Sequence, residues 1–189
     1  MTQRRSALVV RRLEREDLTA ALTLQAENYP PFLVEAEPAF ASRLDVTACY
    51  CLAATLDGVL AGYLLAHGWP GRSPPALGAI LPRNAPSEVL FVHDLAVSTA
   101  RRGLGIGRRL VARAFELAAG DGLGTAELIA VEGAAAYWRT LGFSEAPVFP
   151  ALSAKLAAYG AAARWMTRGI GPGTPGPGAP ERGREGTAP

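Results

Sequence analysis

The sequence predicts an α/β domain, one sheet with helices packed on it, and three observations predict it. Apolar runs of strand length are separated by stretches in which apolar residues recur every three or four positions. Two of the strand-like runs, residues 50–56 and 59–69, are joined by Asp57-Gly58, a strong hairpin signal. A third run, residues 92–97, passes through the glycine-rich turn ARRGLGIG straight into the helical pattern RRLVARAFELAA.

The remaining elements follow in order. Residues 8–13 alternate weakly and read as a first strand with arginines on its outer face. Residues 16–29 form an amphipathic helix, with Leu18, Ala21, Leu22, Gln25, Ala26 and Tyr29 on one stripe and acids in the first turn. Pro30-Pro31 ends it. A second short helix, from Pro38 to about Leu44, follows through PFLVEAE. After the hairpin, residues 70–87 carry five prolines and no period, so they form a long irregular excursion suited to lying over a substrate site. In the strand at 92–97, strict alternation puts His93, Leu95 and Val97 on one face and Asp94 on the other. Beyond the glycine-rich unit come a strand at 126–131, a helix at 133–141 capped by Gly142, a short helix at 152–159 and a last strand at 161–167. From Gly169 onward the composition is almost wholly Gly, Pro, Ala, Thr and charge, which predicts a domain over 1–168 and a disordered tail over 169–189.

The glycine-rich unit is a built anion site. The first turn of a helix has backbone N–H groups without intrahelical partners, and the macrodipole adds positive charge there. Gly103, Gly105 and Gly107 let a loop wrap closely on a phosphate, while Arg101, Arg102, Arg108 and Arg109 add charge-assisted bonds. A pyrophosphate is the guest that fits. The glycines run G-x-G-x-G, which is not the dinucleotide fingerprint, and the Gly-Lys-Ser/Thr of a nucleotide phosphate loop is absent.

Composition narrows the field. The 189 residues are 49% hydrophobic, enough for one real core, and a net charge of +2 does not suit a chain-wide polyanion binder. No apolar run reaches the roughly 18 residues of a membrane span, and MTQRRS leads into no signal-peptide core. These features predict a soluble cytoplasmic protein with no membrane and no nucleic-acid partner. Arginine supplies eighteen of the nineteen Lys and Arg residues, as GC-rich coding would. Cys49 and Cys51 have no histidine cluster near them, so no metal site is expected and the two read as buried free thiols.

Arg102-x-x-Gly105-x-Gly107 directly after DLAV resembles the coenzyme A loop of the GNAT superfamily of N-acetyltransferases, and the order of elements resembles that fold over about residues 6–168. AENYPPFLVEAE, GYLLAHGWP, LFVHDLAV and EGAAAYWRTLGF resemble the branch of arylalkylamine N-acetyltransferases and bacterial proteins similar to them. The resemblance implies a mixed sheet of six to seven strands that opens where an acyl thioester lies. It implies acetyl-CoA as co-substrate, no metal, a small primary amine, possibly an arylalkylamine, as acceptor, and a monomer or homodimer. It places the coenzyme on the backbone of Leu95, Ala96 and Val97 and on Arg102, Gly103, Leu104, Gly105, Ile106, Gly107 and Arg108.

Four demands of acetyl transfer remain to be met by side chains: holding the coenzyme, polarising the carbonyl, taking the ammonium proton and protonating the thiolate. His93 is the candidate base, since imidazole titrates near pH 6.5; the alternative is a histidine held structurally beside the sheet. Glu88 is a weaker base candidate, and Asp94 a structural partner. The position where many relatives carry an acidic tyrosine holds Trp138, whose indole can donate a hydrogen bond but not a proton, leaving it a wall of the coenzyme channel or plain core. Tyr137 adjoins it about 100° round a helix, and Tyr159 is a further phenol without a place. Tyr29, Phe32 and Glu35 form either an acceptor wall suited to a cation or a core cap. His67 faces either the acceptor pocket or solvent. The rival to an enzyme is a catalytically silent coenzyme A binding or regulatory domain, suggested by Trp138 and opposed by His93.

Overall fold

The computed structural model describes residues 7–171. In order these residues form β1 (Leu8–Arg12), α1 (Leu18–Asn28), α2 (Glu37–Asp45), β2 (Leu52–Leu56), β3 (Val59–Trp69), β4 (Val89–Val97), α3 (Ile106–Gly120), β5 (Thr125–Ala130), α4 (Ala135–Thr140), β6 (Ser144–Glu145), α5 (Pro150–Ala158) and β7 (Arg164–Gly169). The seven strands make one sheet in the order β1-β2-β3-β4-β5-β7-β6. Every pairing is antiparallel except β4 with β5. This is the mixed α/β sheet expected. Two-residue β6 is too short to show a period in sequence. The expected start of the tail is corrected: Gly169 belongs to β7, and Ile170 is buried and donates its N–H to Gly124 O. The rest of the tail, from residue 172, lies outside the described residues, as do residues 1–6 of the expected domain.

Sequence chemistry explains the turns. Asp57 and Gly58 have φ of 53° and 82°, the left-handed pair that a tight hairpin needs to match strand twist. Gly142, at φ 84°, closes α4, with Gly142 N–H donating to Arg139 O and Phe143 N–H to Trp138 O. Both sheet faces are covered. On one, Ile106, Leu110, Val111, Ala114 and Ala118 of α3 pack in the main core with Leu64, Ala66, Leu90, Val92 and Leu128. Each fully buried large aliphatic there contributes about 1.5–3 kcal/mol. On the other, Leu18, Ala21 and Leu24 of α1 and Phe40 of α2 pack with Ala53, Tyr63 and Leu65.

Two departures from regularity create the site. In the β3–β4 ladder Leu65 pairs with Asp94 and Ala66 with Val92, so His93 is an extra, bulged residue. And β4 pairs with β5 only from Leu90 to Val92, so the two parallel strands part just past that point. The excursion at 70–87 is irregular, as its prolines predict, but it is tied down. Leu81 N–H donates to Ser42 Oγ, Arg72 N–H to Glu127 Oε2, and the Lys155 ammonium and Tyr159 hydroxyl donate to the carbonyls of Pro74 and Pro75.

Close backbone approach is required at Gly62, where an added Cβ would stand 2.9 Å from Ala96 O and 3.1 Å from an Ile106 methyl. Gly62→Ala is expected to destabilise by about 1–3 kcal/mol through overpacking. Gly124→Ala, where a Cβ would meet nothing within 4 Å, is expected to stay within about 0.5 kcal/mol. Urea unfolding of the two variants checks the contrast.

Candidate active site

The bulge decides which side chains meet. By inserting one residue it reverses the alternation, so His93 joins Asp94 and Phe91 on the α1–α2 side of the sheet while Leu95 returns to the α3 side. The expected grouping of His93 with Leu95 and Val97 is therefore wrong, and the bulge is the reason. A cavity of ≈ 240 Å³ opens where β4 and β5 part. His93, Asp94, Tyr29, Phe91, Tyr159 and Glu35 line its α1–α2 side, and Leu95, Leu128, Tyr137 and Trp138 its coenzyme-loop side.

Glu35 and Arg43 anchor His93. Their side chains are 3% and 0% exposed, and Arg43 Nη2 donates to Glu35 Oε1 at 2.7 Å. His93 Nε2 lies 2.8 Å from Glu35 Oε2, and Gly78 N–H donates to Oε1 at 2.7 Å. Burial opposes ionisation of Glu35, but His93, Arg43 and Gly78 together outweigh it and hold the carboxyl below its ordinary value. Arg43 Nη2 also stands 3.1 Å from this Nε2, but it spends its donor on Glu35 Oε1 at the shorter 2.7 Å. An ionised carboxylate only accepts, so the 2.8 Å contact to Glu35 puts the proton on Nε2. His93 Nδ1 is left buried with no partner. Arg43 Nη1 donates to Ala79 O at 2.6 Å and to Ala39 O, which ties the excursion and α2 to the same pair. Burial lowers the Arg43 pKa against the pull of Glu35.

Asp94 sits beside this unit. Its Oδ2 accepts the Tyr63 hydroxyl at 2.5 Å and Gln25 Nε2 at 3.4 Å, while Oδ1 is buried without a partner. Burial raises its pKa against bonds and charges from Tyr29, Tyr63, His93 and Gln25. Tyr29 donates its hydroxyl to Leu95 O at 3.1 Å.

The other candidates divide. His67 neither lines the cavity nor meets solvent: it is 0% exposed, packed on Trp69, Phe91 and His93, and burial lowers its pKa to about 3. Strand-end position suggested exposure, but the rings of Trp69, Phe91 and His93 pack around it. Phe32, 54% exposed, also lies outside the cavity lining. Glu88 is at the far end of β4, accepting Gly71 N–H. Cys49 and Cys51 are free, Cys51 fully buried and Cys49 partly so. Sequence reasoning missed Arg43 altogether. The available signal was an arginine on the apolar stripe of α2 with Ala39 and Phe40.

On the opposite side, Gly103 and Gly105 have φ of 81° and 73°, and nothing lies within 4 Å of where a Cβ would stand. Gly105 is the residue before α3, so the loop and first turn present backbone N–H groups to an open cradle. Ile106 is buried, so only its backbone can serve a ligand; Leu104 is 54% exposed. Arg102 donates to Asn28 Oδ1 at 2.9 Å, tying the loop to α1. A Cβ on Gly107 would stand 2.5 Å from the Tyr137 hydroxyl. Trp138 is 7% exposed, edge-on to Phe143 and Tyr137. Tyr137, half-exposed on the same short helix, lines the cavity as well. A bare, left-handed cradle at a helix start, opening onto parted strands, fits the pyrophosphate and pantetheine of coenzyme A. Among the described residues no group of three His, Cys, Asp or Glu could hold a metal, and no helix is long and apolar enough to cross a membrane.

Parted strands, a phosphate cradle and a buried imidazole between them define a group-transfer enzyme that draws its donor from a coenzyme. The model of the acetyltransferase (GNAT) family matches residues 15–143, and the chain belongs to that family, with acetyl-CoA as its co-substrate. Three solved structures share the fold. The ribosomal-protein-S18-alanine N-acetyltransferase of Escherichia coli is 19% identical with TM-score 0.63, covering 93% of this chain and 98% of that one. The PaiA N-acetyltransferase of Thermoplasma acidophilum, in complex with coenzyme A, is 13% identical with TM-score 0.61, covering 86% and 99%. A GNAT family acetyltransferase of Brucella melitensis, in complex with acetyl-CoA, is 19% identical with TM-score 0.57, covering 89% and 92%. No curated protein matches the chain in sequence.

Gly107→Ala is expected to weaken coenzyme A binding about tenfold, because the new methyl and the Tyr137 hydroxyl compete for one space. Tyr137→Phe should restore part of that loss, and calorimetric titration of the two singles and the double reads the coupling. Glu35→Gln leaves the Arg43 charge buried without its partner and is expected to cost about 3–5 kcal/mol at neutral pH. Because the folded Glu35 pKa lies below its unfolded value, the unfolded chain takes up that proton first on acidification. The contribution of Glu35 is thus complete above about pH 4.3 and fades as pH falls through the lowered value. Urea unfolding from neutral pH into the acid range should show that fading in the natural chain and not in Glu35→Gln.

Proposed function

We propose that the chain acetylates the primary amine of a small cationic molecule, an arylalkylamine by preference, with His93 as general base. The observation that carries this reading is a cavity-lining imidazole whose Nε2–H is taken by buried Glu35 and whose Nδ1 has no protein partner. Glu35 fixes the ring and its tautomer, so the lone pair on Nδ1 is the proton acceptor. When Nδ1 takes the ammonium proton, the imidazolium charge forms against a carboxylate already in place. Bound acetyl-CoA supplies an acyl carbonyl activated as a thioester; the backbone near Leu95, past the parting of the strands, is placed to orient it. Trp138 walls that side without acting as a proton source.

Cavity shape and lining support a small aromatic acceptor. Tyr29, Phe91 and Tyr159 supply ring surfaces, and Leu33, Leu77 and Tyr159 belong to one or adjoining clusters across the acceptor side. The competing acceptor is a polypeptide amine, such as the ribosomal alanine named for the Escherichia coli relative. Thiol release across a panel of amines, with a peptide of free N-terminal alanine included, is the test. Small arylalkylamines are expected to turn over fastest, His93→Ala to lower kcat/KM by about 10²–10⁴, and Trp138→Phe to keep most activity. Peptide preference overturns the acceptor class. Tight coenzyme binding with no turnover of any amine leaves the silent coenzyme-binding domain instead.

A further inference from the structure

We propose that Asp94 is the residue that receives the acceptor's ammonium group, holding it through Oδ1 beside His93. The proposal rests on the acceptor reading above and adds to it the selector for charge. Three carboxylates line the cavity: Glu132 is solvent-exposed, and Glu35 is fully used, with Oε1 accepting from Arg43 and Gly78 and Oε2 meeting His93. It has no lone pair turned to a ligand that it does not already share. Asp94 differs. Only Oδ2 is engaged, by Tyr63 and Gln25, both uncharged, and the orphaned Oδ1 is a buried acceptor in the wall of a cavity. The Tyr29 hydroxyl is close enough to feel this carboxylate but gives its proton to Leu95 O.

The bulge adds the second half of the geometry. By placing consecutive residues on one face it brings to one cavity wall two residues that each carry an unpartnered atom, Asp94 with Oδ1 and His93 with Nδ1. One ammonium can donate to both, giving one proton to be held and one to be taken. Glu35 and Arg43 pair with each other, so the carboxyl of Asp94 has no cation of its own until an ammonium stands beside it. Burial holds the Asp94 pKa above its ordinary value while the site is empty, a penalty that an adjacent ammonium relieves.

Phenethylamine, cationic at neutral pH, and benzyloxyamine, its uncharged isostere and a competent nucleophile, separate this role from a structural one. Asp94→Asn is expected to raise KM for phenethylamine about tenfold or more, with KM for benzyloxyamine and for acetyl-CoA within about twofold of the natural enzyme. Equal changes for both amines, or none, overturn the proposal. A second measurement needs neither variant nor turnover: calorimetry of the natural protein with coenzyme A bound should show phenethylamine binding about tenfold tighter than phenethyl alcohol. Equal affinity there overturns the proposal even if Asp94→Asn does not fold. If no amine is acetylated yet the ammonium is still preferred, the acceptor site stands and only the catalytic reading falls.

Discussion

The buried ion pair between Glu35 and Arg43 is the constraint on which the site depends. Neither charge has water to fall back on, since the side chains are 3% and 0% exposed. Such a pair adds little net stability over a well-packed apolar alternative, but it tolerates very few arrangements. Here the arrangement reaches four separate parts of the chain. Glu35 follows the Pro30-Pro31 break, Arg43 belongs to α2, His93 to the bulge of β4, and Gly78 and Ala79 to the irregular excursion. A carboxylate and a guanidinium thus fix a loop that has no secondary structure of its own.

The sheet supplies the second constraint. A parallel pair that separates after three registered residues leaves backbone and cavity side by side, which a fully paired sheet never does. The bulge sits at that same place, and its effect on side-chain direction is what turns a strand alternation into a catalytic neighbourhood. Had the alternation run on from Val92 without it, Asp94 would point into the α3 core among aliphatic side chains, where a carboxylate meets a desolvation penalty and no partner.

Legibility in the sequence followed the range of the interactions. Local chemistry was readable: Asp57-Gly58 as a hairpin, Gly142 as a helix stop, the prolines of 70–87 as a break in regular structure, and the glycine spacing of 103–107 before a helix. These signals are set by φ preference and by neighbours a few residues away. The glycine-rich cradle before α3 is made almost wholly from them. The acceptor side is made from contacts across 43 and 58 residues, Gly78 and His93 to Glu35, and no spacing encodes them. The bulge hid the rest. A one-residue insertion has no composition of its own, so alternation assigned His93 and Asp94 to opposite faces and separated the two groups the fold places together. His67 failed for a related reason, since strand-end position says nothing of the distant rings, Phe91 and His93, that pack on it.

Two carboxylates in one cavity have been driven apart by their surroundings. Glu35, answered by a guanidinium, an imidazole and a backbone N–H, is held below its ordinary pKa, whereas Asp94, answered only by phenols and an amide, is held above it. The first is therefore biased toward its ionised form, which suits it to keeping a histidine oriented. The second is a charge the protein has left incomplete. Divergent environments of paired acids mark divergent roles, and here the division follows the path of a proton. In the proposed reaction the ammonium arrives at the carboxylate that lacks a cation, and its proton leaves toward the one that already has its partners in place.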